Sequence, residues 1–309
     1  ETLPLVYRIL PKELAADVFV NMESDAQEFL IKAFSDTELR EVLDELYVDD
    51  AVDIIEEMPA NVVKRILMHT DPVVRKSINE ILKYPEDTAG SIMTIEYVDL
   101  KKYMTVDDAF TRIRRTGVDK ETIYICYVTD DNRKLLGLVT VKDLLLSDKS
   151  KKMFEIMETN VISVTTLEDK EIVADKFQKY DLMAIPVVDQ EERLGGIVTF
   201  DDAMDVLQDE NTEDIEKMAA ITPTDKPYLK MGIVETWKKR VPWLLLLMVS
   251  ATFTGKIITS FEDALQAQIV LTSFIPMLMD TGGNCGGQSS VTIIRALSLG
   301  DVRFGDISL

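Results

Sequence analysis

Histidine and cysteine are nearly absent from this sequence, which holds one histidine and two cysteines in 309 residues. The cysteines, Cys126 and Cys285, lie far apart in the chain and indicate neither a disulfide framework nor a zinc site, so a reducing compartment is the simplest expectation. The histidine, His69, lies near a predicted helix end and is interpreted as structural. The sequence also contains no P-loop and no recognisable nucleophile–base pair. We therefore predict that the chain is not an enzyme.

Basic residues are scarce relative to acidic ones, with 34 Lys and Arg against 55 Asp and Glu and a net charge of −21. The imbalance belongs to one part of the chain. Residues 238–309 hold six Lys/Arg and five Asp/Glu, so residues 1–237 carry −22. Nucleic acid attracts proteins through Lys and Arg, and this composition therefore argues against a nucleic-acid partner. It suits a surface that binds cations, or a merely soluble acidic one.

Residues 1–88 contain short runs in which apolar residues recur at helical spacing, for example Lys12–Phe19 and Ala26–Phe34. Repeated short helices predict a superhelical all-α domain, which is more typical of binding than of catalysis.

Three aspartates, Asp49, Asp50 and Asp53, stand close together in one of these runs. Asp49 and Asp53 are four residues apart and share a helix face, where like charges cost a helix about 0.2–0.5 kcal/mol per pair. Helix N-capping accounts for Asp49 or Asp50, but not for Asp53 as well. Capping alone therefore does not explain the cluster.

Residues 89–150 and 151–207 repeat one pattern. Ile92-Met93 is echoed by Ile156-Met157, and each copy continues in the order β-α-β-β-α. This order resembles tandem cystathionine-β-synthase (CBS) domains. CBS pairs occur in enzymes, channels and transporters alike, so the resemblance implies a fold more strongly than a function.

A Thr-x-x-Asp step ends the last strand of each copy, at Thr140…Asp143 and Thr199…Asp202. In CBS pairs this step often holds a nucleotide ribose. The resemblance therefore implies an adenine nucleotide such as ATP as a candidate ligand, held by Thr140, Asp143 and Thr199. Helix capping is the alternative explanation for each of these residues.

The segment from Asp201 to Glu216 contains eight carboxylates and no Lys or Arg. Asp201, Asp205 and Asp209 follow one another at a spacing of four, which places them on one side of a helix. A solvated helix ordinarily intersperses lysines, so their absence favours a bound cation over a merely soluble face. Oxygen ligands without histidine or cysteine suit Mg²⁺ or Ca²⁺.

Two membrane spans are predicted in residues 237–309. Lys238-Lys239-Arg240 precedes the uncharged run Val241–Gly255, which places the start of the first span on the cytoplasmic side. The second span, within Ala264–Ile294, has one formal charge but many polar and small residues, which need other helices or water around them. Close helix packing through small residues is the alternative. The candidate pore residues are Pro276, Asp280, Gly282, Gly283, Asn284 and Gln288.

The pattern Pro276…Thr281-Gly282-Gly283-Asn284…Gln288-Ser289…Arg295 resembles the second transmembrane helix of MgtE-type magnesium channels. The resemblance extends along the whole chain and covers the first two of the family's five transmembrane helices. It implies that carboxylates bridge the cytosolic domains through magnesium, and that the helix through Thr212–Ala220 is the family's plug helix. The implied ligands are Asp49, Asp53, Asp181, Asp202, Asp205, Glu213 and Asp214. Asp50, which lies between the first two in the aspartate cluster, is a further candidate ligand.

We thus predict a multidomain protein with an all-α superhelical N domain, an α/β tandem CBS pair, a connecting plug helix and an α-helical transmembrane segment. The expected boundaries are 1–88, 89–150, 151–207, 208–236 and 237–309. The expected function is Mg²⁺ uptake, gated by intracellular Mg²⁺ between the N domain, the CBS pair and the plug helix. The protein is expected as a homodimer in the lipid of a bacterial plasma membrane, multi-pass, with residues 1–237 cytoplasmic. The alternative is a CBS-type nucleotide-sensing regulatory subunit of another membrane transporter.

Overall fold

The computed structural model describes residues 2–224 and 231–298, together with Val302 and Gly305. It divides into two compact units, Glu1–Val206 and Leu207–Leu309. Residues 225–230, which fall within the predicted connecting segment, lie outside the described part of the chain.

Short helices build the N-terminal part of the first unit. They are interrupted where the sequence supplies helix starts: Pro11 and Pro59 are N-caps, Asp71 caps the helix that begins at Pro72, and Ser35 forms a capping box with Glu38. The helices are α1 (Leu3–Tyr7), α2 (Lys12–Val20), α3 (Ser24–Ala33), α4 (Asp36–Leu43), α5 (Val48–Glu57), α6 (Ala60–His69) and α7 (Pro72–Ile81).

One hydrophobic core joins these helices. Phe19, Leu30, Leu39, Val52 and Ile78 are each at most 1 % exposed. Full burial of a large apolar side chain stabilises a fold by about 1.5–3 kcal/mol. The apolar periodicity that predicted the helices is therefore the same feature that holds them together.

Two three-stranded sheets of identical topology follow. In each sheet the first strand pairs parallel with the second, and the second pairs antiparallel with the third. The first sheet contains β1 (Val98–Lys101), β2 (Ile125–Thr129) and β3 (Leu135–Thr140), and the second contains β4 (Val164–Thr165), β5 (Ala184–Val188) and β6 (Leu194–Thr199). The accompanying helices are α8 (Val106–Thr116), α9 (Val141–Leu146), α10 (Met153–Ile156), α11 (Lys170–Tyr180) and α12 (Phe200–Met218).

The segment that precedes the first strand of each repeat pairs with the last strand of the other repeat. Thr94, which precedes the first sheet, exchanges two backbone hydrogen bonds with Ile197 of β6, at 2.8 and 2.9 Å. Glu158, which precedes the second sheet, does the same with Leu138 of β3, at 2.9 and 3.0 Å. The repeated Ile-Met pairs of the sequence are the start of these exchanged segments.

Glycine is required where the exchanged segments cross. A Cβ on Gly137 would lie 2.5 Å from the Glu158 carbonyl oxygen, and one on Gly196 would lie 2.6 Å from that of Thr94. Both positions also contact the methionines of the repeated pairs, Met157 and Met93. The two glycines occupy equivalent positions because the two crossings are equivalent.

The second unit contains α13 (Ile233–Ser260), α14 (Glu262–Ala267) and α15 (Phe274–Ser298). Among the described helices, only α13 is both long enough and apolar enough to cross a membrane. The predicted second span forms the continuous 25-residue helix α15, but its glycines and polar residues keep it outside that class.

Candidate functional site

Helix α5 carries the three predicted aspartates. Its apolar side lies in the N-terminal core. Tyr47 is the N-cap, and Asp49 and Asp50 lie in the first turn, where the helix dipole favours negative charge. Neither aspartate is the N-cap residue, so N-capping does not account for either of them.

Asp49 is a buried carboxylate. Its residue surface is 7 % exposed, and its Oδ1 atom has no hydrogen-bond partner among the described residues. Burial raises the pKa of Asp49 well above its usual value, and the charges of Asp202, Asp50 and Glu121 raise it further. A buried polar atom without a partner costs about 1–3 kcal/mol, and more if it is charged. This position therefore favours protonation or a bound cation.

Asp50 and Asp53 share these surroundings. Burial raises the pKa of Asp50 to about 6, with Asp202 and Asp201 as the next causes. Asp53 is solvent-exposed by surface area although many protein atoms surround it, and its pKa is raised by desolvation first and by Asp202 next. The carboxylate of Asp202 thus acts on all three aspartates of α5, about 150 residues earlier in the chain.

Asp202 lies in the first turn of α12. The Thr199 hydroxyl donates a hydrogen bond of 2.5 Å to its Oδ2 atom, which favours the ionised form. Burial outweighs that hydrogen bond, and Asp201 and Asp205 add repulsion, so the pKa of Asp202 is raised. Fold topology therefore collects the carboxylates of α5 and α12, where burial is the largest cause of their raised pKa values and repulsion adds to it.

Two glutamates belong to the same cluster and were missed in the sequence. Glu96 and Glu121 lie in the loops before β1 and β2, and the Glu121 N–H donates to the Glu96 carbonyl oxygen at 2.9 Å. Burial, Asp202 and Asp201 raise the pKa of Glu121 to about 8, and its Oε2 atom is buried without a hydrogen-bond partner in the described chain. The available signal was that each glutamate shortly precedes one of two parallel strands, whose starts lie at one edge of a sheet.

The carboxylates repel one another without forming a compact ligand set. No three Asp, Glu, His or Cys side chains that the structure describes lie close enough together to hold one metal ion directly. The oxygen-only donors and the two orphaned buried atoms fit a hard cation such as Mg²⁺.

The other predicted metal ligands occupy different settings. Asp181 is the exposed C-cap of α11, in a left-handed conformation with φ 51°. Glu213 forms an ion pair with Lys217, and Asp214 forms one with Arg295 at 3.5 Å. Arg295 could not be predicted as a partner of Asp214, because the two residues are 81 positions apart in the chain. Among these three, the two residues of α12 already have basic partners.

Two of the three predicted nucleotide residues form a helix cap in the structure. Thr140 and Asp143 form a capping box, in which the Thr140 hydroxyl donates to Asp143 Oδ2 at 2.5 Å. Thr199 is buried and bonded to Asp202. Capping thus explains Thr140 and Asp143, whereas the hydroxyl of Thr199 is used in a hydrogen bond to the Asp202 carboxylate.

The six candidate pore residues all lie in α15, and all are exposed in the single chain. A Cβ on Gly282, Gly283, Gly286 or Gly287 would meet no atom within 4 Å in the described residues. Nothing within this part of the chain therefore requires glycine at these positions.

Comparison with known protein families gives two matches. The model of the MgtE intracellular N domain matches residues 2–87, and that of the CBS domain matches residues 89–149 and 153–209.

Among curated proteins, the magnesium transporter MgtE of Thermus thermophilus is 40% identical over 306 residues, which is 98% of this chain and 68% of that protein. The magnesium transporter MgtE of Bacillus subtilis is 34% identical over 286 residues, 91% of this chain and 62% of that protein. The chain thus spans about two thirds of the length of these relatives.

Two solved structures are similar as well. The cytosolic domain of the Mg²⁺ channel MgtE in complex with ATP is 39% identical, with a TM-score of 0.63, over 65% of this chain and 83% of that one. The soluble part of a magnesium transporter is 33% identical, with a TM-score of 0.62, over 66% and 81%. These similarities and the helices above confirm the predicted fold class.

Proposed function

Because the chain belongs to the MgtE family of magnesium transporters, we propose that it supplies the regulatory domains and the first membrane helices of a magnesium channel. The family assignment confirms the resemblance found in the sequence, and the transporter relatives confirm that the chain is not an enzyme. They also identify it as a membrane protein with a cytosolic domain. The family favours this function over a regulatory subunit of another transporter.

Intracellular Mg²⁺ is proposed as the regulator. The observation that carries this proposal is the buried carboxylate of Asp49, whose Oδ1 atom has no hydrogen-bond partner among the described residues. Asp202 repels Asp49, Asp50 and Asp53 and so raises the pKa of each. A divalent cation among them converts repulsion into attraction and stabilises the compact arrangement of α5 against the start of α12. At low Mg²⁺ the same repulsion favours separation.

Helix α12 gives the regulation a route along the chain. It begins beside Thr199 with Asp201 and Asp202, and it continues without interruption to Met218, the region that resembles the plug helix. A change in the position of Asp202 is therefore a change at the start of the helix whose later turns are proposed to close the pore. The ion shifts this equilibrium by no more than its difference in affinity for the two states.

The transported ion is also proposed to be Mg²⁺, passing along α15 near Gly283 and Asn284 in a homodimer of multi-pass subunits in a bacterial plasma membrane. The uncovered glycines support this, because polar and small residues in a membrane need neighbouring helices or water. ATP is proposed as a further ligand of the CBS pair, supported by its presence with the similar cytosolic domain.

Limited proteolysis of the whole chain in detergent tests the regulation. Cleavage within the first unit should slow as Mg²⁺ rises through the low millimolar range, and Asp202→Asn should require several-fold more Mg²⁺. The exposed turn residue Asp131 provides a matched control, since Asp131→Asn removes a charge outside the cluster. Potassium at equal ionic strength separates binding from screening. Equal protection by potassium, or an unchanged response of Asp202→Asn, would show the proposal to be wrong.

A further inference from the structure

Glu96 and Glu121 lie on the CBS side of the cluster, in positions set by the backbone. The hydrogen bond from the Glu121 N–H to the Glu96 carbonyl joins the two loops that precede parallel strands β1 and β2. The Thr94 hydroxyl donates to Glu96 Oε2 at 2.8 Å and holds that side chain. Thr94 is itself fixed to β6 by the exchanged segment. Hydrogen bonds therefore hold both loops next to the sheet pair.

The charged groups that act most strongly on Glu121 are all carboxylates. The largest charge effects on Glu121 come from Asp202, Asp201, Asp50 and Glu96. Asp49 is in turn affected by Glu121 and Glu96. The carboxylates of Glu121, of the α5 aspartates and of the first turn of α12 therefore lie near enough to repel one another.

Two buried carboxylate oxygens of this cluster have no hydrogen-bond partner among the described residues. One is Asp49 Oδ1, from the helical domain, on a residue that is only 7 % exposed. The other is Glu121 Oε2, from the first CBS domain. Buried acceptors are almost always satisfied by protein or ordered water. Two unsatisfied oxygens from different domains indicate a ligand that supplies several hydrogen-bond donors.

The spacing of the carboxylates restricts what that ligand is. No three of the described acidic side chains can bind one ion directly, so a bare cation would leave most of them unsatisfied. A cation that keeps its water shell instead presents hydrogen-bond donors over a larger radius. Mg²⁺ binds water tightly and usually keeps several waters in proteins, whereas Ca²⁺ takes 6–8 direct oxygen ligands.

We infer that Glu121 and Glu96 form the CBS side of the regulatory cation site, and that this site holds a hydrated divalent cation through water. The inference rests on the proposed regulation by Mg²⁺. Water donates from the ion to Asp49 Oδ1 and Glu121 Oε2, so one ion joins the helical domain to the first sheet. Selection for Mg²⁺ over Ca²⁺ follows from recognition of the water shell.

The melting temperature of the whole chain in detergent tests this, with Mg²⁺ or cobalt(III) hexaammine as the added ion at constant ionic strength. The six ammine ligands of this ion have a size and an arrangement similar to those of the six waters of hydrated Mg²⁺, and they are not replaced by protein ligands. The ion can therefore bind only through hydrogen bonds from its ammine ligands. Both ions should raise the melting temperature. Glu121→Gln removes one charged acceptor and should raise the midpoint concentration of each ion about three- to tenfold, as expected for one charged, water-mediated contact.

Two further variants make the result specific. Glu158→Gln changes an exposed glutamate of the same chain region and should leave both midpoints unchanged. Glu96→Gln keeps an acceptor for Thr94 and provides a second test if Glu121→Gln does not fold. If a substitution only weakened the fold, it would lower the melting temperature measured without added ion and would leave the midpoint concentrations of both ions unchanged.

The outcomes separate this inference from the proposed function. Normal midpoints in Glu121→Gln and Glu96→Gln, with a shifted midpoint in Asp202→Asn, would overturn the role of the glutamates and leave regulation by Mg²⁺ standing. A response to Mg²⁺ but not to the hexaammine ion would overturn the hydrated-ion site alone. No response of the unmodified chain to Mg²⁺ would overturn the proposed function itself.

Discussion

Gly195 and Gly196 are neighbours in β6, yet the structure gives them opposite tolerance to a side chain. A Cβ on Gly196 would lie 2.6 Å from the Thr94 carbonyl oxygen, which the exchanged segment holds in place. A Cβ on Gly195 would lie 3.6 Å from its nearest neighbour, the Val187 carbonyl oxygen, which is ordinary contact. Sequence alone shows two adjacent glycines and cannot distinguish them.

We expect Gly196→Ala to destabilise the protein by about 1–3 kcal/mol, the usual cost of overpacking. Gly195→Ala should be neutral or slightly stabilising, because alanine reduces the entropy of the unfolded chain. Thermal melts of both variants in detergent check this, with roughly 2–4 °C of melting temperature per kcal/mol for a domain of this size. Equal melting temperatures of the two variants would contradict the crossing described for Thr94.

The carboxylate cluster predicts how stability depends on pH. The pKa of Asp50 is raised from 3.8 to about 6, and that of Glu121 from 4.5 to about 8. Because the folded state holds these protons more tightly than the unfolded state, the stabilisation is present at low pH and is lost as pH rises through this window. Without divalent cations, the melting temperature should therefore fall by several degrees between about pH 5 and about pH 8.

Saturating Mg²⁺ should flatten that dependence, because a bound cation stabilises the ionised carboxylates. Melting curves in EDTA and in Mg²⁺ at several pH values provide the measurement. Asp202→Asn should weaken the slope in EDTA, since Asp202 acts on both Asp50 and Glu121. A melting temperature that rises over the same range in EDTA would show that these pKa shifts have the wrong sign.

Some residues of the candidate site could be predicted from the sequence, and others could not. Asp49, Asp50 and Asp53 were visible because their helical spacing is unusual for like charges. Glu96 and Glu121 were not, because each stands alone in a loop, and only the parallel pairing of β1 with β2 brings them together. Local patterns reveal residues on one element, whereas residues joined by topology need the fold.

For the helices and strands, the sequence predicted the bounds of strands better than the contacts that helices make. The apolar run Ala184–Val188 predicts a strand with the bounds that β5 has. The runs Leu136–Thr140 and Gly195–Thr199 predict β3 and β6, each of which begins one residue earlier in the structure. The short helix α10 was not predicted, since its four residues contain too little periodicity. The acidic helix α12 was predicted as a cation-binding surface, but two of its carboxylates pair with Lys217 and Arg295 instead.

The ion pair between Asp214 and Arg295 joins α12 to α15 within the second unit. The residues after α12 are attached to α13 as well, because Lys239 Nζ donates to the Pro223 carbonyl at 2.7 Å and the Thr222 N–H donates to the Lys239 carbonyl at 3.3 Å. The C-terminal half of α12 is therefore held by contacts to both long helices.

We expect Arg295→Gln to loosen this attachment modestly, since exposed ion pairs contribute about 0.2–1 kcal/mol. Amide hydrogen exchange in residues 207–218 should accelerate by about 1.5- to 5-fold. Arg240→Gln removes an exposed charge of α13 that forms no ion pair with the described residues, and it should leave exchange unchanged. The charge exchange Asp214→Arg with Arg295→Asp should restore slow exchange. Unchanged exchange in Arg295→Gln would show that this ion pair does not hold α12.

For the whole molecule, the uncovered face of α15 is the feature that most needs a partner. Its four glycines meet no described atom of the chain, and small residues allow helices to approach closely. We therefore expect a homodimer in detergent, with twice the 34.9 kDa of one chain by light scattering. Gly283→Leu should weaken association several-fold, whereas Leu278→Met on the same helix should not. Monomers of the unmodified chain at micromolar concentration would contradict this.

The exchanged segments of the CBS pair have a consequence for the origin of this fold. A single repeat has its leading segment bound to the other repeat, at Ile197 or at Leu138, and leaves a gap on its own last strand. A lone ancestral repeat could fill that gap only with the same segment of a second molecule, as in domain swapping. Gene duplication would then have joined two already interlocked partners on one chain. The two repeats made as separate fragments, residues 89–150 and 151–207, should accordingly fold when mixed and not separately.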